Sequence, residues 1–364
     1  MASLKSNSVL KSSHFLFLAL EQAKINLGST KTNPSVGCIV EKDGAVISSG
    51  FTSLNGRPHA EFNALNKNID FKNANLYVSL EPCSHYGVTP PCTNIIIKKK
   101  IKKVFYYAND FDIRSKKKSK KILNKKQILV KGPLCKNNGL EFYKSYYLQH
   151  GLSLPLIDAK IAISNDYYTK NLKKRWISNA YSQKRAHFLR SIYNCIISTS
   201  KSINDDNSLL NCRINGLEKK SPDVIIIDRN LKLKKKLKIF NKINKRKIFL
   251  YTSSTNSKKI SYFKKKGIKI IYTKSLKSKK DFENFFIDLK KQGYSRIFVE
   301  SGLTFINFLI NNNFLNYIYV FKSKINLKKN GINYSSSATL KKITLKNMIK
   351  VNLYDDKLYM EKLK

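Results

Sequence analysis

Three residues able to ligate a metal, at fixed spacing, constrain this chain more than any other feature. They are His59 in His59-Ala60-Glu61, Cys83 in Pro82-Cys83, and Cys92 in Pro91-Cys92 after eight intervening residues. An imidazole and two thiolates leave one tetrahedral position open, the arrangement of a catalytic and not a structural zinc site. Zinc lowers the pKa of water in that position enough to give hydroxide at neutral pH. Glu61, two residues from His59, reaches the water without being a ligand and can carry its proton to a ring and then to departing ammonia. His59 and Cys92 are expected near helix N-termini, where the dipole and free amides favour an electron-rich ligand. A structural site would need a fourth protein ligand, for which His85 is the nearby candidate.

The pattern around these residues alternates helices and strands. Residues 15–25 read as a helix, 36–41 and 45–49 as strands joined by the turn Lys42-Asp43-Gly44, and a helix starts near His59. A strand at 76–80, a helix from about Cys92 and a strand at 104–107 follow, which makes a sheet with helices on its faces. Around Gly151-Leu152-Ser153-Leu154-Pro155 the pattern resets. Beyond it, apolar runs at 156–163, 195–197, 224–227, 248–251, 268–272 and 297–299 predict buried strands, with helices at 180–193, 281–291 and 304–311 as crossovers. With 364 residues in all, the expectation is two α/β domains, 1–150 and 151–364.

Composition excludes several classes. At 42% hydrophobic with 14 Gly and 8 Pro, the chain is neither a disordered polymer nor a collagen-like fibre. No repeat of fixed period occurs, and the early apolar run Phe15 to Leu20 is far short of the roughly 20 residues that span a bilayer. The formal charge of +47 is mostly lysine spread over the whole length. Lysine, asparagine and isoleucine share AT-rich codons, so no specific nucleic-acid partner is expected, and runs such as Lys116 to Lys121 and Lys232 to Lys238 read as solvated surface. Six cysteines in a chain this long do not make a disulfide scaffold, which points to a reducing, cytoplasmic setting. Met1 to Ser13, rich in Ser and Lys, reads as a short ragged start.

His-x-Glu with Pro-Cys is the pattern of zinc nucleobase deaminases, and the long gap between the cysteines differs from the two-residue gap of nucleic-acid deaminases. The stretch Leu80-Glu81-Pro82-Cys83-Ser84-His85-Tyr86-Gly87-Val88-Thr89-Pro90-Pro91-Cys92, with Thr32-Asn33-Pro34-Ser35-Val36-Gly37-Cys38, closely resembles the bifunctional deaminase/reductase family of riboflavin biosynthesis. The resemblance spans essentially the whole chain. It implies a cytidine-deaminase-like zinc domain that deaminates a diaminopyrimidinone ribosylamino 5′-phosphate. A dihydrofolate-reductase-like domain would then use NADPH to reduce ribosyl to ribityl. By motif match, Asn33 and His85 contact the pyrimidine and Gly37 lets the backbone approach it. Where the family has a basic residue as a phosphate contact, this chain has Val88. Its Asp-Pro-Asn-Pro and Gly-Arg-Gly segments are replaced by Asp110 to Ile113 and Ser115 to Lys121, so nearby lysines are expected to take over the phosphate.

On residues alone the second domain says less. Glu300-Ser301-Gly302 ends a strand and opens a helix, a plausible amide nest for phosphate; no G-x-G-x-x-G occurs. Lys160 within an apolar strand either sits at a solvated edge or faces a ligand. The resemblance implies that Lys160 is catalytic, that Lys174, Arg190, Leu209, Arg213 and Glu300 contact substrate, and that Ile163, Trp176, Ser202, Asp205, Gly302 and Thr304 contact the cofactor. Arg190 and Arg213 would grip phosphate and Glu300 the ribose hydroxyls. Departures cluster here too: Tyr167 for Gly, Ser301 and Leu303 for the Gly and Pro of Glu-Gly-Gly-Pro, and Asn207 for a Pro. The rival readings are a monofunctional deaminase with a scaffold C-terminal domain and an RNA-editing deaminase. The expected partner is a small pyrimidine nucleotide, with no specific nucleic acid and no membrane, in a homo-oligomer.

Overall fold

The structure, a computed structural model, describes residues 2–134, 136–151 and 153–364. The side chains of 2–12, 136–138 and 242–245 lie outside the described residues, as does Cys135, one of the six cysteines. The chain divides into two compact units, Met1–Ser153 and Leu154–Lys364.

The first unit runs α1 (Ala2–Lys24), β1 (Gly37–Lys42), β2 (Ala45–Phe51), α2 (Ala60–Leu65), β3 (Asn75–Leu80), α3 (Cys92–Lys98), β4 (Lys103–Ala108), α4 (Lys118–Asn124), β5 (Leu129–Lys131), α5 (Lys136–Phe142) and α6 (Lys144–His150). Helix α1 begins at Ala2, well before the expected start at Phe15 and in place of a ragged start, because no proline or glycine interrupts Ala2 to Lys24. The sheet order is β2-β1-β3-β4-β5. Strand β1 is antiparallel to β2 and β3, while β3, β4 and β5 are parallel. Asp43 and Gly44 turn the β1–β2 hairpin with φ of 52° and 85°, the left-handed pair that a tight turn requires.

Two close approaches press helices onto this sheet. A Cβ on Gly37 would stand 2.0 Å from the Ala19 carbonyl oxygen of α1, and one on Gly50 would stand 2.4 Å from the Ala60 carbonyl oxygen. The space at Gly37 is therefore taken by α1. That, and not the approach of a substrate, is why a side chain is missing there. The helices bury Leu16, Ala19, Ala64 and Leu65 against Val40, Leu76 and Val78 of the strands.

The second unit contains β6 (Leu156–Ile163), β7 (Lys170–Asn171), α7 (Ala180–Arg190), β8 (Cys195–Thr199), α8 (Ser200–Asp206), β9 (Asp223–Ile227), β10 (Ile248–Thr252), α9 (Ser257–Lys265), β11 (Lys269–Tyr272), α10 (Lys279–Lys291), β12 (Arg296–Glu300), α11 (Leu303–Asn311), β13 (Tyr317–Lys322), β14 (Gly331–Ile332), α12 (Ala338–Lys342) and β15 (Lys357–Lys362). Eight strands form one sheet in the order β11-β10-β9-β8-β12-β6-β13-β15. Every pairing in it is parallel except β13 with β15. Strands β13 and β15 were not anticipated from sequence, and they extend the sheet beyond β6. Helix α10 shows how the faces are covered. Its capping box joins Ser278 and Asp281, and Phe282, Phe285, Phe286 and Leu289 line one buried face at helical spacing.

Being covered on both faces, β6 can be almost wholly apolar. Its two polar interruptions are therefore informative. Asp158 is buried and accepts from the Tyr193 hydroxyl at 2.6 Å and the Tyr317 amide at 3.1 Å, a satisfied structural carboxylate. Lys160 is the other.

Candidate active sites

In the first unit, local structure brings the three ligands together. His59 is the N-cap residue of α2, Cys83 follows β3, and Cys92 is the first residue of α3. The sulfurs of Cys83 and Cys92 lie 3.6 and 3.4 Å from His59 Nδ1. All three donor atoms are within 4.8 Å of one another, and among the described residues no other His, Cys and acid group could hold a metal ion. The Cys92 amide donates to the Cys83 sulfur at 3.2 Å. His85, the candidate fourth ligand, is not part of this cluster; its Nδ1 lies 2.7 Å from Ser115 Oγ, which accepts from the Ser84 amide at 3.1 Å.

Electrostatics at this cluster call for a cation. The hydrogen bond from Cys92, helped by His59, holds the Cys83 thiol well below its usual range, while the same contact, burial and Glu61 push Cys92 up. The bond to Cys83 raises the His59 pKa. Two thiols in contact share one proton unless a positive ion joins them. Two sulfurs and an imidazole nitrogen are the soft and borderline donors that fit zinc, and three of them leave a catalytic position open. Glu61, in the first turn of α2 and only 4% exposed, is in contact with the Cys92 thiol. Burial and the neighbouring Cys83 charge push its pKa up to about 7.

The sequence-predicted Asn33 donates from Nδ2 to the Gly56 carbonyl at 3.0 Å, which ties it to the loop leading into α2. That loop also carries Arg57, which the motifs did not single out. Its Nη1 donates to Thr89 Oγ1 at 2.5 Å and lies 3.4 Å from His59 Nε2. Its position two residues before the His-x-Glu motif was the available signal.

In the second unit the charged cluster is assembled from distant elements. Strands β6 and β12 pair with Lys160 directly opposite Glu300. Arg190, at the end of α7, forks onto that carboxylate, Nε to Oε1 at 2.5 Å and Nη2 to Oε2 at 2.8 Å, with the side chains 11% and 9% exposed. Burial alone would raise the Glu300 pKa, and the charge and hydrogen bonds of Arg190 outweigh it and carry it below the usual range. Burial lowers the Lys160 pKa against the pull of Glu300, and its ammonium stands 5.6 Å over the Phe321 ring. The guanidinium of Arg190 is thus committed to Glu300, unlike the phosphate grip expected of it. Arg213 is exposed, bonded only to the nearby Asn211 Oδ1 at 2.9 Å, and has donors to spare. His187 donates Nδ1–H to the Asn211 carbonyl at 2.7 Å, and burial with the charges of Arg190 and Arg213 pushes its pKa down to about 4.

Three of the candidate cofactor residues, Ser202, Gly302 and Thr304, follow the C-terminal ends of the neighbouring strands β8 and β12, where open parallel sheets bind ligands. Thr199, Ser202 and Ser301 form a triangle of hydroxyls 3.1 Å apart, and Ser202 Oγ accepts from the Gly302 amide at 2.9 Å. A Cβ on Gly302 would meet only Ser202 Oγ, at 3.6 Å, so the backbone there is open to a ligand. This hydroxyl-lined, uncrowded turn fits a dinucleotide. Trp176 is 49% exposed under the Arg175 guanidinium, and Asp205 pairs with Lys201 and Lys170 at 3.4 and 3.7 Å. Lys174 and Thr304 are exposed, Ile163 is buried at the end of β6, and the Leu209 carbonyl accepts from Arg246.

Two of the departures sit at left-handed backbone positions. Tyr167 sits at φ 66°, the left-handed backbone that glycine adopts freely, and its ring packs on the core with Lys322 5.0 Å from its centroid. Asn207 ends α8 at φ 43°, which proline cannot adopt, and its Oδ1 accepts from the Lys238 amide at 2.8 Å.

Residues 11–108 match the family described as cytidine and deoxycytidylate deaminase zinc-binding region, and residues 155–323 match the RibD C-terminal domain. Riboflavin biosynthesis protein RibD of Aquifex aeolicus is 30% identical over 311 residues, 85% of either chain. That of Actinobacillus pleuropneumoniae is 27% identical over 78% of this chain and 76% of its own. Among solved structures, a Thermotoga maritima diaminohydroxyphosphoribosylaminopyrimidine deaminase/5-amino-6-(5-phosphoribosylamino)uracil reductase superposes with TM-score 0.82 at 25% identity, covering 98% of this chain and 99% of that one. Acinetobacter baumannii RibD, with TM-score 0.80 at 23% identity over 97% and 98%, shares the fold.

Fold and sites together define a cytidine-deaminase-like zinc domain followed by a dihydrofolate-reductase-like domain. The chain belongs to the RibD family of riboflavin biosynthesis proteins, bifunctional enzymes with a deaminase and a reductase activity and with zinc and NADPH as cofactors. Among the described residues, no helix is long and apolar enough to cross a membrane.

Proposed function

We propose that residues 1–150 deaminate a diaminopyrimidinone ribosylamino 5′-phosphate and that residues 151–364 then reduce its ribosyl chain to ribityl with NADPH. The observation that carries this reading is the presence of two distinct side-chain clusters in one chain, His59-Cys83-Cys92 with Glu61 and Lys160-Glu300-Arg190.

His59, Cys83 and Cys92 would hold zinc, which would supply a Lewis acid that acidifies water. Glu61, buried against Cys92, is placed to take a proton from the water and give it to the pyrimidine ring, and then to move a second proton, from the hydroxyl added to the ring carbon, to the leaving ammonia as the C–N bond breaks. Asn33 and His85 orient the ring, His85 being fixed in turn by Ser115.

NADPH supplies the hydride of the second step, so the protein's task there is orientation and charge. Ile163, Trp176, Ser202, Asp205, Gly302 and Thr304 line the cofactor side. Lys160 faces the ribosyl group beside Glu300, whose remaining lone pairs accept from ribose hydroxyls. Arg190 keeps Glu300 ionised, while Arg213 and Lys174 meet the phosphate, with Leu209 beside them. We place the enzyme in the cytoplasm as a homo-oligomer.

A two-step assay tests this. Ammonia release from the diaminopyrimidinone phosphate should precede NADPH oxidation, and both should occur. Ammonia release with no NADPH oxidation would leave the second unit a scaffold, and deamination of a tRNA in preference to the free nucleotide would overturn the substrate.

A further inference from the structure

The rim of the zinc-ligand cluster carries a cation that the roles above do not use. Arg57 is partly buried, and its Nη1 donates to Thr89 Oγ1 at 2.5 Å. Its Nη2 faces the bare backbone of Gly87, 3.7 Å from where a Cβ would stand. Among the ion pairs of the described residues, none involves Arg57. Arg114 is already committed, forked onto Asp112 through Nε at 2.9 Å and Nη2 at 2.5 Å. Val88, midway along the loop that carries Gly87 and Thr89, is 86% exposed and offers neither charge nor donor.

A guanidinium presents five N–H donors in a fixed fork that suits phosphate or carboxylate. Thr89 occupies one of them. His59 sharpens the case, because it turns Nδ1 to the sulfurs and Nε2 to Arg57 at 3.4 Å. With zinc on Nδ1, Nε2 would carry the hydrogen, and it and the Arg57 Nη1 group, 3.4 Å away, would both be donors. An anionic oxygen resolves that.

We infer that Arg57 is the anion-recognition residue of the first unit, holding the phosphate of the nucleotide substrate at the Gly87–Thr89 side of the loop. The identity of that substrate rests on the function proposed above; the site itself rests on the geometry of Arg57. An arginine from the α2 approach, and not the lysines expected from sequence, then supplies the charge that Val88 lacks.

Kinetics of ammonia release in Arg57→Gln, Arg57→Lys and the double variant Arg57→Gln/Val88→Arg, with zinc content measured on each, test the inference. Arg57→Gln should raise KM about tenfold or more with kcat and zinc retained, because a charge-assisted fork is lost from binding alone. Arg57→Lys should recover part of the loss, and the double variant more. An unchanged KM, or a joint fall of kcat and zinc that marks Arg57 as a support for His59, overturns the inference. A second readout needs no turnover: ribose 5-phosphate should slow extraction of zinc by a chelator from the wild type and not from Arg57→Gln. If the wild type releases no ammonia yet shows this Arg57-dependent protection, the deaminase reading fails and the anion site stands. Equal extraction rates in both proteins sink the site.

Discussion

The two active clusters solve opposite electrostatic problems. In the first unit, two thiols, an imidazole and a buried carboxyl crowd together with more potential negative charge than burial tolerates, and the cluster is completed by a cation. In the second, Arg190 and Lys160 flank the carboxylate of Glu300, Asp206 also acts on Lys160, and Arg213 is close enough to depress His187, so the surplus is still positive. The first cluster thus calls for a cation, and the second carries more positive than negative charge. They also differ in construction. The metal ligands sit on the entries to two short helices and one strand exit within 34 residues of chain, His59 to Cys92, whereas the second cluster joins β6, α7 and β12. A compact motif can be kept by local selection; a cluster spread over a sheet depends on the whole register.

If this contrast is right, the largest effect should come from Glu61→Gln. Ammonia release should fall by about 10²–10⁴-fold with zinc content unchanged, while NADPH oxidation of the deaminated intermediate continues. Loss of zinc from this variant would mean that Glu61 supports the ligands. Next, Glu300→Ala should leave Arg190 and Lys160 buried without a counter-charge, costing about 3 kcal/mol of stability in urea unfolding and stopping NADPH oxidation with ammonia release intact. A neutral effect on stability would show that the fork is solvated.

NADPH should raise the melting temperature of the wild type, by about 2.7 kcal/mol of stability at a hundredfold excess over Kd. The Ser202→Ala and Gly302→Val pair should diminish the shift, and an undiminished shift would place the cofactor elsewhere. Smallest is a pH effect from His187, whose folded pKa of about 4 lies below the ordinary value of about 6.5. The unfolded chain takes up the proton first, so stability present above about pH 6.5 is lost as pH falls towards 4, by roughly 2 kcal/mol. His187→Asn should flatten that slope between pH 4 and 6.5, and an unaltered slope would assign the acid sensitivity to other groups.

Much of this molecule was determined by sequence alone. His-x-Glu and the two Pro-Cys pairs specify a donor set whose chemistry depends on residue type, so the zinc-ligand cluster was legible before any fold. Strand β6 was legible to the residue because a strand covered on both faces must be apolar throughout, and Lys160 stood out for the same reason. Tertiary structure decided the rest. Strands β13 and β15 gain their meaning only by pairing beyond β6, and hydrogen-bond partners are not written in local periodicity. Gly37 looked like a gap left for a substrate and proved to be a seat for α1, because close packing between elements distant in sequence leaves no local pattern. Arg190 looked like a phosphate grip and instead forks onto Glu300, 110 residues away along the chain. A charged side chain's partner is set by which strands and helices the sheet order brings together. Sequence can name the cations, but only the assembled register determines which are already neutralised and which, like Arg213 and Arg57, remain open to a ligand.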